Sequence, residues 1–311
     1  MASDPAKAAT VERTGADPFY PGDLSMGQEQ WIDVDGVRTR YFDQGSGAAM
    51  ALFHGGYYGS TEASTARTWD RNFQPLSKTL NVVAVDRLGQ GYTDAPRNDA
   101  GYTIDAAVQH AANFLTALNK GPYHLVGHST GGYLVARLAL EYPHLARTVT
   151  CASGGALSPG YERYVHANLP AWSPRATLRA CYERLFYDPR DVTEQLLDEP
   201  CAVVQSDKFI AARTKMAEGL ERTLFRPELG RQRFETQGWL IGRGMPCPTL
   251  LTWGLQDPVA DVEDGKVLLE MFMKKQSLAE GRFFNRAGHY VHREHAASFS
   301  RTLHAFATSH Q

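Results

Sequence analysis

The sequence predicts an α/β fold with a mostly parallel central sheet flanked by helices, and three observations support that class. Short apolar runs recur along the chain, separated by stretches of helical periodicity. The runs are apolar on both faces, as strands are when helices cover a sheet on both sides. At 43% hydrophobic and 21% charged over 311 residues, the composition supplies enough apolar mass for a large core.

The elements follow in order. Residues 1–25 are rich in Ala, Asp, Pro and Gly without periodicity and read as a flexible N-terminal tail. "WIDVDGVRTRYFDQG" holds two alternating runs around Asp35-Gly36, a dipeptide suited to the positive φ angles of a type I′ turn, and predicts an antiparallel hairpin at one sheet edge. Six further strands are expected at "MALF" (50–53), "NVVAVD" (81–86), "YHLVG" (123–127), "TVTCA" (148–152), "TLLTW" (249–253) and "RFFN" (282–285). Helical stretches lie at 104–119, 131–142 and about 259–274. Between about 154 and 245 the strand runs disappear, and "CYERLFYDPRDVTEQLLDEP" and "DKFIAARTKMAEGLERTLF" read as amphipathic helices without a strand to cover. The predicted organisation is therefore a core of 26–153 and 246–311, with a helical cap, 154–245, inserted between core strands 6 and 7.

Charge and composition narrow the function. With 32 basic and 34 acidic residues, a net charge of -2 and no long Lys/Arg run, nucleic acid is an unsuitable partner. No apolar run has the length of a membrane span, and the start lacks the pattern of a signal peptide, so a cytoplasmic protein is expected. Cys151, Cys181, Cys201 and Cys247 show no metal or disulfide spacing and are expected to be buried thiols. No metal and no cofactor are implied, because the glycines of "HGG" and "DRLGQG" do not form the GxGxxG dinucleotide fingerprint.

The chemistry starts at "LVGHSTGG". An apolar strand ends at Gly127, and small residues at Gly127 and Gly131 permit the sharp strand-to-helix reversal that lifts a nucleophile, Ser129, above a sheet. A serine hydroxyl needs a base to take its proton and a carboxylate to orient that base. Asp257 follows the strand "TLLTW" and His289 follows "RFFN", so all three fall at the carboxyl ends of strands, where open α/β sheets bind ligands. Asp261 and Asp264 are read instead as a solvated acidic helix face, and His292 and His295 as surface or supporting positions on a later helix. The backbone N-H of Thr130 supplies one oxyanion donor and the "HGG" loop another, assigned to Gly56 with Gly55 or Tyr57 one residue away. Without matching ligands nearby, His54 reads as a structural histidine holding that loop. Gly55 and Tyr57, with Trp172, Phe186 and Tyr290, are the expected substrate contacts.

Together "HGG", "DRLGQGYTD", "GHSTGG", "WGLQDPV" and "AGHY" resemble the α/β-hydrolase superfamily over nearly the whole chain after the tail. Within it, "DRLGQGYTD", "LFYDPRDVTEQL" and "FNRAGHYVHREHAASF" resemble the meta-cleavage-product hydrolases, which cleave a carbon-carbon bond in ring-fission products of aromatic degradation. The resemblance implies the α/β-hydrolase fold, a small-molecule dienoate substrate and a homodimer. It also exposes departures. The family's carboxylate-binding arginine falls at Pro200, a substrate-contacting asparagine falls at Thr68, and the tryptophan after the catalytic histidine is Tyr290. Arg179, Arg184 and Arg190 are the replacements to weigh for the arginine. The alternative is a carboxylesterase or lactonase, with Trp172, Tyr182, Phe186, Tyr187 and Trp239 lining an apolar pocket. A noncatalytic receptor on the same fold is a third reading, distinguished by tight binding without turnover.

Overall fold

A computed structural model describes residues 17–159, 174–276 and 278–311. Eight strands form one sheet in the order β1-β2-β4-β3-β5-β6-β7-β8. They are β1 (Gln30–Val34), β2 (Val37–Gln44), β3 (Ala49–Phe53), β4 (Asn81–Val85), β5 (Tyr123–His128), β6 (Ala146–Ala152), β7 (Thr249–Gly254) and β8 (Ala279–Phe284). The first two pairings, β1 with β2 and β2 with β4, are antiparallel, and all others are parallel. The hairpin turns at Asp35 (φ 52°) and Gly36 (φ 77°), the two positive angles a type I′ turn requires. The last strand starts three residues before "RFFN", because the edge segment "AEGRFF" is half solvated and carries few apolar residues to announce it.

Alternation along the buried strands divides the core. Ala49, Ala51 and Phe53 of β3 face one cluster with α2 (Ile104–Leu118), α3 (Thr130–Glu141) and α8 (Val262–Met273). Met50 and Leu52 face the other, with α1 (Asp70–Ser77) and α10 (Ala296–Ser309). The central strands are thereby dry on both sides, which is why their sequences are apolar without alternation.

Between β6 and β7 the described residues form α4 (Pro174–Leu185), α5 (Glu194–Val203), α6 (Asp207–Lys215) and α7 (Arg226–Arg243). A wide-turned run, Met216–Phe225, joins the last two and breaks at Gly219 (φ 135°). Leu178, Tyr182, Phe186, Leu197 and Phe209 pack on one another and on Tyr290, so the inserted helices have a core of their own. Helix α7 instead lies along the sheet domain, where buried Arg137 reaches Gln232 O, Thr236 Oγ1 and Glu235. α9 (Val291–Glu294) is a single turn after the loop that follows β8.

Three expectations change and a fourth is narrowed. The tail expected to run to Ser25 is held from Asp17 on: Asp17 pairs with Arg301, Phe19 packs on the His304 ring, and Pro18 O accepts Lys78 Nζ. Cys151 and Cys247 are buried, but Cys181 and Cys201 are only partly so, and all four are free thiols. Asp264, expected on a solvated face, is buried because α8 turns that side toward the sheet domain. His292, read as a surface or supporting position, takes the supporting one: it has no exposure, stacks on Trp69 at 4.3 Å between ring centroids and lies against the His128 ring at 4.6 Å. No helix among the described residues is long and apolar enough to cross a membrane.

Candidate active site

Five strand ends, those of β3, β5, β6, β7 and β8, converge on one cavity of about 790 Å³. At the end of β5 the chain reverses through Ser129, whose φ of 54° and ψ of -121° lie outside the regions open to most L-residues. The flanking glycines are sterically required. A Cβ at Gly127 would meet Gly131 O at 2.0 Å, and one at Gly131 would meet the carbonyl oxygens of Phe53 and His54 at 2.5 Å. Ser129 N-H anchors the turn on Ala152 O at 2.8 Å. Ser129 thus enters the cavity at the N-terminus of α3, where the helix dipole favours negative charge.

Asp257 and His289 come together as expected. His289 Nδ1 lies 2.8 Å from Asp257 Oδ2, and because a carboxylate only accepts, the imidazole donates from Nδ1 and leaves the Nε2 lone pair available. Asp257 Oδ1 accepts from Val259 N-H and Ala260 N-H at 2.9 Å each, which fixes the carboxylate. Burial pushes the His289 imidazole down, but the charge and hydrogen bond of Asp257, with Glu62 and Glu294, reverse this, and its pKa is raised. Ser129 and His289 line the same cavity, while no hydrogen bond joins them among the described residues; such contacts are commonly long before a ligand binds.

The histidine loop is pinned from several sides. His289 N-H donates to Leu185 O at the end of α4, and His128 Nε2 donates to His289 O at 2.8 Å. Glu294 accepts from Gly288 N-H and from Tyr187 N-H, tying the loop to the inserted helices. Burial and then its neighbour His289 hold His128 far below the usual histidine value; burial and then His128 do the same to His292. Both therefore stay neutral beside His289, the expected base.

The loop expected to hold an oxyanion depends on a residue that sequence reasoning missed. Buried Arg87 donates through Nη1 to His54 O, Gly56 O and Thr130 Oγ1 at 3.1, 3.2 and 2.7 Å, and its own N-H donates to His54 Nε2. Thr130 Oγ1 in turn donates to Gly56 O at 2.8 Å. Its place in "DRLGQG", directly after β4, was the available signal. His54 is a loop-holding histidine, neutral because burial and Arg87 press its pKa down to about 3. Gly56 lines the cavity, whereas Tyr57 N-H is engaged by Ser60 Oγ at 3.1 Å. Gly55 packs against Ser129, where a Cβ would come within 2.8 Å of the serine Cβ.

The expected substrate contacts divide. Tyr57 lines the cavity, and Trp172 lies outside the described residues. Phe186 and Tyr290 do not line it. They stack face to face at 5.0 Å in the wall behind, because the insertion's core claims both rings. Tyr182 is buried in the same core, Tyr187 is exposed, and Trp239 packs beneath the guanidinium groups of Arg137 and Arg243. The apolar lining comes instead from Tyr58, Ala156, Leu185, Met216, Phe225 and Val259. Pro200 and Thr68 line a separate, smaller hollow, so neither occupies a substrate-facing position of the main cavity. Of the candidate arginines, Arg179 pairs with Glu194 and Arg190 with Asp188, while Arg184 lines the cavity with Arg213 and Arg226. Among the described residues no group of three or more His, Cys, Asp or Glu side chains is arranged to hold a metal.

An elbow serine, a histidine-carboxylate pair and two loops at the ends of parallel strands form the arrangement expected of a hydrolase site on an α/β sheet. The chain belongs to the Alpha/beta hydrolase family, which matches residues 50–302. It is 30% identical to the dihydrolipoyllysine-residue acetyltransferase component of an acetoin cleaving system from Cupriavidus necator, over 88% of this chain and 67% of that protein. It is 27% identical to a 2-hydroxymuconate semialdehyde hydrolase from Pseudomonas sp. strain CF600, over 86% of this chain and 90% of that one. Among solved structures it resembles a meta-cleavage product hydrolase from Pseudomonas fluorescens IP01, with a TM-score of 0.73 at 24% identity over 91% of this chain and 98% of the other.

Proposed function

We propose that the protein is a serine hydrolase that cleaves a carbon-carbon bond in a ring-fission dienoate, with Ser129, His289 and Asp257 as its catalytic triad. The observation that carries the triad is the 2.8 Å bond between His289 and Asp257, in a cavity shared with the elbow serine. Likeness to the 2-hydroxymuconate semialdehyde hydrolase over most of both chains supports the bond type.

His289 Nε2 takes the Ser129 proton as the serine attacks the remote carbonyl or activates the water that does so. The negative charge on the former carbonyl oxygen is met by the N-H groups of Gly56 and Thr130, whose loops Arg87 holds together. Carbon-carbon cleavage becomes feasible once the dienoate has ketonised in the site: the departing carbanion is then delocalised as a dienolate, which takes its proton from His289, and where Ser129 has attacked, water then releases the acyl group. With Pro200 away from the cavity, Arg184 is assigned to the substrate carboxylate, on the wall it shares with Arg213 and Arg226.

The relative named for acetyl transfer favours a second reading, hydrolysis of an acyl ester by the same triad. A panel of ring-fission products and 4-nitrophenyl esters separates the two. The proposal expects the ring-fission compounds to have the higher kcat/KM; ester turnover with no ring-fission turnover overturns it in favour of the esterase. In either case activity falls with pH below the His289 pKa, which lies above the ordinary 6.5, because the protonated imidazole cannot act as base.

A further inference from the structure

We infer that Glu62 is a specificity-determining residue: its carboxylate, fixed by the Tyr290 hydroxyl, receives a hydrogen-bond donor of the substrate, such as a hydroxyl group, on the cavity wall. The inference rests on the serine-hydrolase reading of the same cavity.

Glu62 lies on the loop after "HGG" and lines the cavity with Ser129 and His289. Two buried tyrosines from different parts of the fold converge on it. Tyr182, on α4, donates its hydroxyl to the Glu62 backbone carbonyl at 2.9 Å. Tyr290, next to the base, lies 2.9 Å from Oε2, and since a carboxylate has no proton to give, the phenol donates. Ser64 Oγ stands 3.4 Å from the same phenol oxygen. This uses one carboxylate oxygen. Among the described residues Oε1 accepts no hydrogen bond, and Glu62 forms no ion pair.

An anionic oxygen with open acceptor capacity has consequences for what can bind beside it. An apolar group would strip it of water without replacing the lost hydrogen bonds, and a second carboxylate would be repelled. A hydroxyl satisfies it. Arg184 lines the same cavity and suits an anionic end of the ligand, while Arg226 there is paired with Glu221 at 2.8 Å, so the cavity offers two polar positions of opposite sign. Glu62 also belongs to the set of carboxylates, with Asp257 and Glu294, whose charge favours protonated His289.

The test uses two fluorophosphonates that differ only in carrying a 6-hydroxyhexyl or a 6-methoxyhexyl chain. Ser129 oxygen bonds to phosphorus, fluoride leaves, and His289 accepts the serine proton, so the inactivation rate reports the site without a known substrate. In the wild type the hydroxyl compound should react faster. Glu62→Ala should lower the hydroxyl-to-methoxy rate ratio about tenfold, the size of a lost hydrogen bond to a charged group. Tyr290→Phe, which keeps the ring stack but frees the carboxylate, should lower the ratio less. Glu62→Gln should keep part of the preference while moving the acid limb of inactivation to lower pH. A ratio unchanged in Glu62→Ala, with Ser129 labelled at wild-type speed, overturns the inference. Failure of either probe to label Ser129 in the wild type overturns the underlying serine-hydrolase reading instead.

Discussion

The two sides of the cavity are built by different means. On the sheet side, Ser129, Asp257 and His289 are placed by backbone: strand ends, an elbow closed by two glycines, and peptide N-H groups holding Asp257. On the opposite side, Leu185 is placed by how the inserted helices pack on one another, and Met216 and Phe225 by how the insertion packs down on the sheet domain, Phe225 against the rings of Tyr57 and Tyr58. The first construction has almost no freedom. The second can change its lining with single substitutions while the fold persists, which separates reactivity from selectivity.

Changes on the sheet side should therefore be the most damaging. Asp257→Asn leaves His289 in place but removes the carboxylate that selects its tautomer, and kcat should fall by about 10²- to 10⁴-fold with KM little changed, as read by steady-state kinetics. Gly131→Ala would drive a methyl into two backbone carbonyls at the end of β3; a loss of about 3 kcal/mol should appear in denaturant titration. Stability within 0.5 kcal/mol of wild type would show that the elbow is less constrained than its geometry implies.

Changes on the insertion side should act on selectivity. Arg184→Ala should reduce kcat/KM for a carboxylate-bearing substrate about tenfold and leave a neutral ester nearly unaffected. Equal losses on both would place Arg184 in folding rather than recognition. The smallest effect is expected where the two sides meet. Burial raises the Glu294 carboxyl to about 7, against the hydrogen bonds from Gly288 and Tyr187 that favour its charged form. A carboxyl raised on folding binds more protons in the native state, so its contribution to stability is present below the unfolded carboxylate range and declines as pH rises through about 7. Glu294→Gln should remove that decline, narrowing the stability difference between pH 5 and pH 8 by about 1 kcal/mol in thermal melts.

The same division explains what was legible in the sequence. The strands, the hairpin turn and the order Ser129, Asp257, His289 could be read because local pattern and backbone geometry determine them. The lining of the inserted helices could not. Tyr182, Phe186 and Trp239 carry the composition of a pocket, yet tertiary packing turns the first two into the insertion's core and the third under Arg137. Met216 and Phe225 reach the cavity from a wide-turned run whose periodicity departs from 3.6 residues. Arg87 was visible in its motif but not its role, because its partners come from β3's loop and α3, far away in sequence.

The most direct test follows a coloured ring-fission dienoate by absorbance in a single turnover with wild type and with Ser129→Ala. A carbon-carbon hydrolase acting through this triad predicts rapid loss of the dienoate chromophore with the wild type, with cleavage at least about 10³-fold slower in the variant. Cleavage at an undiminished rate in Ser129→Ala, or a wild type that leaves the dienoate untouched while hydrolysing esters, would contradict it.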